Sequence, residues 1–348
     1  MSFQLEIVAW YLKNKRDLPW RNTTDAYVIW LSEIILQQTR VEQGLPYFNR
    51  FLAHFPDVSS FAAASEEQVL KLWQGLGYYS RGRNMLHTAK LVMSKYAGEF
   101  PTSYQELIAL KGIGAYTAAA ISSFSSNEKQ AVVDGNVYRV LARYFGISHP
   151  INSNIGQKEF ADLAKQLIAD QEPAIYNQAI MEFGALQCKP KAPLCETCPL
   201  RLDCQAYQHQ IVDQLPVKLK KVKIKKRYFN YFVGIANQQV LTKQRTAGDV
   251  WQHLYDFPLI ETDEELTTPS AEFFDKIKSI FGTEVKISLL DAKKHILTHQ
   301  IIYVQFFAID NYIVNFNDYA EIKSVDIEDF KQLPHPKIIG DFIEKHID

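Results

Sequence analysis

Cysteine is scarce in this sequence, and long apolar runs are missing from it. Four cysteines occur among 348 residues, all between positions 188 and 204, which excludes a chain-wide disulfide framework. No uncharged apolar stretch approaches the roughly 18 residues that a membrane-spanning helix needs, so no membrane association is expected. The N-terminus, MSFQLEIVAW, carries Glu6 inside its apolar stretch and has no basic segment ahead of it. It does not read as a secretory signal, and a cytoplasmic protein is expected. An excess of one charge is also lacking, since the formal net charge is −1. That balance hides an asymmetry: residues 1–227 carry 27 Lys and Arg against 20 Asp and Glu, and residues 228–348 carry 11 against 19. A basic front half permits a polyanionic partner, although modest charge is common in proteins of all kinds. With 47% hydrophobic and 22% charged residues the chain is globular, and its length calls for two or three domains.

Residues 1 to about 204 read as helices joined by short Gly and Pro turns. Between Ala26 and Val41 the apolar residues Tyr27, Leu31, Ile34, Ile35 and Val41 recur at helical spacing, with Gly44 and Pro46 expected to stop the run. Further helices are expected near 65–73, 80–97, 103–110, 115–125, 135–145, 157–170 and 173–186, several behind a capping Ser, Thr, Asp or Asn. Residues 218–227 (KLKKVKIKKR) hold seven positive charges; they suit either a tether along a phosphate backbone or a plain soluble linker. After Tyr228 the texture changes. YFNYFVGIA, QQVLT and HQIIYVQFFAI read as strands, and 270–281, 325–332 and 336–346 as helices, so a second domain of mixed α/β type starts near 228. No internal repeat or low-complexity tract is found.

Two motifs carry chemistry. Cys188, Cys195, Cys198 and Cys204 are spaced C-x6-C-x2-C-x5-C, which suggests one metal or cluster site. Zinc takes four thiolates but usually from two short knuckles, and an iron–sulfur cubane accepts wider spacing; inert buried cysteines are the third possibility. In Leu107-Ile-Ala-Leu-Lys-Gly112-Ile-Gly114-Ala-Tyr116-Thr-Ala118, two short helices flank a Gly-x-Gly turn. Backbone N–H groups at the start of the second helix can face a phosphate without reading sequence, though ordinary helix corners contain the same glycines.

Six motifs in order resemble the helix-hairpin-helix DNA glycosylases that carry an iron–sulfur cluster, and within them the MutY-type adenine DNA glycosylases. They are Leu18-Pro-Trp-Arg21, Trp30-Leu-Ser-Glu33-Ile-Ile-Leu-Gln-Gln-Thr39, Gly75-Leu-Gly-Tyr-Tyr-Ser-Arg81, the hairpin, Val133-Asp134-Gly-Asn-Val-Tyr-Arg139 and the cysteine array. The resemblance covers essentially the whole chain. It implies a multidomain protein with an all-α helix-hairpin-helix glycosylase core and an α/β NUDIX-like C-terminal domain. The implied boundaries are 1–22 with 126–204 for a discontinuous cluster domain, 23–125 for a six-helix domain, 205–227 for a basic linker and 228–348 for recognition. It also implies a 4Fe–4S cluster on the four cysteines. The implied partner is duplex DNA holding an A:8-oxoguanine or A:G mispair, bound by a monomer at the nucleoid if the source is bacterial.

The chemistry follows from two carboxylates. Adenine is a poor leaving group until protonated, and its loss leaves positive charge on the sugar. Glu33 and Asp134 stand where the family has its catalytic pair. Glu33 lies among Trp30, Leu31, Ile34 and Ile35, surroundings that would raise its pKa and keep it protonated for adenine N7. Asp134 precedes a helix, whose N–H groups would keep it ionised beside the sugar. Tyr116 and Asn136 are expected to support the pair. Tyr116 also occupies the position of the nucleophilic lysine in the bifunctional, endonuclease III-like branch, and Lys111 lies on the other side of the turn. A monofunctional enzyme using water is therefore expected.

The resemblance further implies DNA contacts for Gln38, Thr39, Leu76, Tyr78 and Arg81, with Leu76 a candidate wedge, and for Gly112 and Gly114 at the hairpin. In the C-terminal domain Trp251-Gln-His-Leu-Tyr-Asp-Phe-Pro258 is similar to the family's Leu-Trp-Glu-Phe-Pro region. No NUDIX pyrophosphatase box is present, so this domain should recognise and not hydrolyse. Where the family reads 8-oxoguanine with Phe-Ser-His, this chain has Leu297-Thr298-His299, keeping the hydroxyl and the imidazole but not the aromatic ring. The rival readings are an endonuclease III-like pyrimidine glycosylase/lyase, a non-catalytic iron–sulfur DNA-binding protein and a zinc-ribbon module.

Overall fold

The computed structural model describes residues 2–219, 224–246, 248–267 and 270–347. The chain divides into two compact units, one of residues 1–63 and 84–220, the other of residues 64–83 and 221–348. Among the described residues no helix is long and apolar enough to cross a membrane.

The first unit is helical. It begins with α1 (Phe3–Asn14), α2 (Ala26–Ile35), α3 (Val41–His54) and α4 (Val58–Ala63). In chain order α5 (Glu66–Trp73) belongs to the second unit, and α6 (Ser80–Lys95) leads back into the first. Then come α7 (Tyr104–Ile108), α8 (Ala115–Ser126), α9 (Gly135–Phe145), α10 (Asn154–Ile168), α11 (Pro173–Leu186) and α12 (Gln205–Gln208). Side-chain caps start them as the sequence suggests: Asp25 accepts from the Tyr27 N–H, Ser103 from Glu106, Ser153 from Gly156, and Ser65 closes a capping box with Gln68. One core joins α1, α9, α10 and α11 through Ile7, Leu141, Phe160 and Phe183.

The expected stop at Gly44 and Pro46 is not where the chain turns. Helix α2 ends at Ile35, Gln38 takes a left-handed φ of 58°, and α3 runs straight through both residues. Burying Phe48 and Phe51 completely outweighs one missing N–H near a helix start, so packing overrides local preference. The hairpin forms as α7, a turn and α8. Gly112 has φ 80°, and a Cβ there would lie 2.9 Å from Asn84 Cβ, so only glycine fits.

The second unit is α/β. A sheet of β1 (Lys225–Val233), β5 (Leu259–Thr262), β6 (Lys286–Ile296) and β7 (Gln300–Asp310) has the order β5-β1-β7-β6, with β1 and β7 parallel and the rest antiparallel. A smaller sheet joins β2 (Ile235–Ala236), β3 (Gln239–Gln244), β4 (Tyr255–Asp256) and β8 (Ile322–Asp326). Neighbouring residues of a strand face opposite sides. Phe232 and Phe307 therefore pack with α13 (Ala271–Phe281), while Phe306 stacks on Phe342 of α15 (Lys337–His346) at 4.0 Å. The short α14 (Ile327–Gln332) follows β8. Strand β6 escapes a sequence reading because it is an edge strand with charges at Lys286, Asp291, Lys293 and Lys294. Of the basic run 218–227, residues 220–223 lie outside the described residues. Its end, Lys225–Arg227, is already strand, and Arg227 is held by Asp249 and Glu261.

Candidate active site

Glu33 lies on the buried face of α2, with only 9% of its surface exposed. Helix α8 crosses α2 and brings Tyr116, on its first turn, to the acid: the Tyr116 hydroxyl donates to Glu33 Oε2 at 2.8 Å. Asp134 caps α9. Its Oδ1 accepts the N–H groups of Asn136 and Val137, both at 2.8 Å, and its Oδ2 accepts from Asn136 Nδ2 at 2.6 Å. Glu33, Tyr116, Asp134 and Asn136 line one cleft of about 650 Å³, together with Gln38 and Thr39. The cleft is large enough for a nucleobase and its sugar, and all of its wall belongs to the first unit.

Electrostatics separate the two acids only in part. Burial pushes Glu33 up to about 7; the Tyr116 hydrogen bond and Arg21 oppose this, and the charge of Asp134 adds to it. Asp134 was expected to stay low because of its helix N–H donors. The donors are in place, but burial exceeds them and Arg139, and its pKa is raised. Both of its oxygens nevertheless accept hydrogen bonds, an arrangement that suits the ionised form. Burial, helped by the charge of Glu33, also raises Tyr116, which keeps it a neutral donor.

Three residues of the wall escaped the sequence reading. Glu182 is buried and grips two arginines, accepting from Arg16 and Arg21 at 2.7 Å each on Oε2 and at 2.9 Å each on Oε1. Burial alone would raise this carboxyl, but the two guanidinium groups outweigh it and hold it at about 2. Arg21 belongs to Leu-Pro-Trp-Arg, yet its partner lies 161 residues away and no local pattern announces it.

The four cysteines line a single small cavity with Arg143, Leu194 and Tyr207. Among the described residues no three Cys, His, Asp or Glu side chains come together closely enough to hold one metal ion. Arg139 ties this loop to the cleft: its guanidinium donates to the Cys188 carbonyl at 2.6 Å, the Gly184 carbonyl at 2.6 Å and Asn136 Oδ1 at 2.8 Å. Gly184 permits the approach, since a Cβ there would sit 2.7 Å from Asn136 Cβ. Arg143 adds a contact to Cys188 Sγ at 3.5 Å.

Gly112 and Gly114 sit at the hairpin, Gly114 as the extended N-cap of α8. In the second unit, the Tyr78 hydroxyl is hydrogen-bonded to Thr298 Oγ1 on the β6–β7 hairpin. His299 is exposed at the same hairpin, and its carbonyl accepts the Lys225 N–H at 3.1 Å. Leu76, nominated as a wedge, is 7% exposed, so it points inward in this structure. Arg81 is half-buried and donates to the carbonyls of Leu76 and Gly77.

A helical core with a Gly-x-Gly hairpin, followed by an α/β unit, is the fold of the helix-hairpin-helix base-excision glycosylases. Residues 31–166 match the family described as HhH-GPD superfamily base excision DNA repair protein, and residues 230–345 match the NUDIX domain. The chain is similar to the adenine DNA glycosylase of Buchnera aphidicola subsp. Baizongia pistaciae, at 35% identity over 87% of this chain and 85% of that protein. The mouse (Mus musculus) adenine DNA glycosylase is 41% identical over 60% of this chain and 42% of its own length. Among solved structures, a thermostable thymine-DNA glycosylase superposes with a TM-score of 0.55 at 30% identity, covering 60% of this chain and 95% of its own. An endonuclease III in a non-covalent DNA complex shares the fold, with a TM-score of 0.52 at 20% identity over 60% of this chain and 94% of that one. The chain belongs to the adenine DNA glycosylase family.

An acid whose folded pKa lies above its unfolded value binds its proton more tightly in the folded state. Stability conferred by protonated Glu33 is therefore full below about 4.5 and lost as pH rises towards 7. Glu33→Gln removes that titration. The variant should gain on the wild type across this window, approaching roughly 3 kcal/mol at its upper end. Urea midpoints measured against pH decide it, and two parallel stability curves would contradict the buried-acid assignment.

Proposed function

We propose that this chain hydrolyses the glycosidic bond of adenine in duplex DNA where adenine is mispaired with 8-oxoguanine or guanine. The observation that supports this most directly is the pairing of Glu33 and Asp134 across one cleft, the former a buried acid at about 7. Adenine in a duplex has to rotate out of the stack to enter that cleft. Glu33 gives its proton to adenine N7, Tyr116 steadies the resulting carboxylate, and the bond from C1′ to N9 breaks with its electrons leaving on adenine. Asp134, oriented by Asn136, stabilises the positive sugar until water adds at C1′, and the proton that water releases restores the Glu33 acid. No amine stands at Tyr116 to form a covalent adduct. The enzyme works in this reading as a monomer on DNA in the cytoplasm.

The four cysteines would hold a 4Fe–4S cluster. They line one shared cavity, and their C-x6-C-x2-C-x5-C spacing suits a cubane better than the two short knuckles of a zinc site. Such a cluster would supply no chemistry at adenine and would close the 188–204 loop, on which Arg139 anchors Asn136. Thr298 and Tyr78 would meet the base opposite adenine, with Gln38 and Thr39 beside the emptied position.

Three outcomes test the proposal. In single-turnover excision from an A:8-oxoguanine duplex, Glu33→Gln and Asp134→Asn should each lose about 100-fold or more, and wild-type activity should decline above pH about 7; losses under about tenfold would remove the assigned role. Thr298→Ala should narrow the preference for A:8-oxoguanine over A:G, and an unchanged ratio would refute that contact. Purified protein should be brown, with iron and acid-labile sulfide at about four of each per chain; one zinc per chain would overturn the cluster.

A further inference from the structure

The turn between α5 and α6 is held in a conformation that most residues avoid. Gly75, Gly77 and Tyr78 all have left-handed backbone, with φ of 98°, 71° and 49°. For Tyr78 this is a strained backbone conformation, which the surroundings have to offset. The consequence is directional: Leu76 turns inward and is 7% exposed, while Tyr78 turns outward and is 43% exposed.

Arg81 is built around this turn. Its Nη2 donates to the Leu76 carbonyl at 3.2 Å and to the Gly77 carbonyl at 3.1 Å. Its guanidinium lies 5.1 Å from the Trp73 ring centre and 5.7 Å from that of Tyr78. Trp73 Nε1 donates to the same Gly77 carbonyl at 3.0 Å. A planar cation with several donors can bridge two carbonyls and stack on rings at once, which a lysine cannot do. The segment is anchored at its far side too: the Tyr79 hydroxyl donates to the His335 carbonyl at 3.0 Å, and Gln74 Oε1 accepts the His335 N–H at 3.3 Å. Residues 64–83 thus fold with the C-terminal domain, and Tyr78 reaches Thr298 inside one unit.

We infer that Arg81 is a positioning residue for mispair selectivity, clamping the 75–78 turn so that the Tyr78 hydroxyl stays with Thr298. The inference rests on the reading that Tyr78 and Thr298 meet the base opposite adenine. The contacts of Arg81 with Leu76, Gly77, Trp73 and Tyr78 direct its action to recognition.

Single-turnover excision at saturating enzyme, and binding to duplexes carrying a non-cleavable 2′-fluoro-adenosine, should be compared for A:8-oxoguanine and A:G. Arg81→Met should cut the binding preference for 8-oxoguanine by about tenfold, equivalent to about 1.4 kcal/mol, over and above any loss of binding common to the two mispairs. Gly77→Ala provides a second route that leaves Arg81 in place. The space around Gly77 is open, but its φ of 71° strains any side chain, so the same loss of preference is expected if the turn's backbone is what matters. If the wild type prefers 8-oxoguanine and both variants keep that preference, the Arg81 role is overturned while the opposite-base reading stands. Equal wild-type binding to the two mispairs would overturn both. Parallel loss of cleavage on A:G and A:8-oxoguanine, with the preference intact, would reduce Arg81 to a purely structural residue.

Discussion

The burial of one carboxyl group governs this site. Glu33 is on a helix whose neighbours Trp30, Leu31, Ile34 and Ile35 are all core residues, so its side chain meets solvent only where it borders the cleft. Ionising it there is costly, and holding the proton to about pH 7 is the result. The rest of the cleft is arranged around that cost. A neutral tyrosine donates to the acid, a second carboxylate stands near enough to discourage ionisation, and Arg21, which would favour it, is engaged by Glu182. An acid prepared in this way can protonate a weakly basic nitrogen at neutral pH, which an exposed glutamate cannot.

A second constraint runs from the cysteine loop. Asn136 supports Asp134, and Arg139 supports Asn136 while bonding to the Cys188 carbonyl. A guanidinium bridging the 188–204 loop to the N-terminus of α9 couples the position of that loop to the second carboxylate. The close packing of Gly184 against Asn136 leaves little freedom for either. The loop therefore serves the chemistry without touching it.

The two units divide the work by kind. The proposed chemistry lies in the first, whose cleft holds both acids. The residues assigned to the opposite base are confined to the second, because residues 64–83 leave the helical core and pack with the C-terminal domain. A reader that is stiff before DNA arrives would lose less entropy on binding, and in the proposed role the left-handed turn clamped by Arg81 would provide that stiffness.

Most helices of the first unit were legible because local signals agree: capping side chains, 3.6-residue periodicity and glycine stops all act within a few residues. Strand β6 and the path through Gly44 and Pro46 were not, because an edge strand tolerates charge and because burial of Phe48 and Phe51 is a non-local gain. The sequence by itself determined the residue types available: two carboxylates in a helix and at a cap, a tyrosine in place of a lysine, four thiols within one loop. Tertiary structure alone decided their states. How far each acid is desolvated, that Arg16 and Arg21 close on Glu182, that Leu76 faces inward while Tyr78 meets Thr298, all depend on segments far apart in the chain arriving together. Dielectric surroundings and ion pairing are properties of that arrival, and no local pattern encodes them.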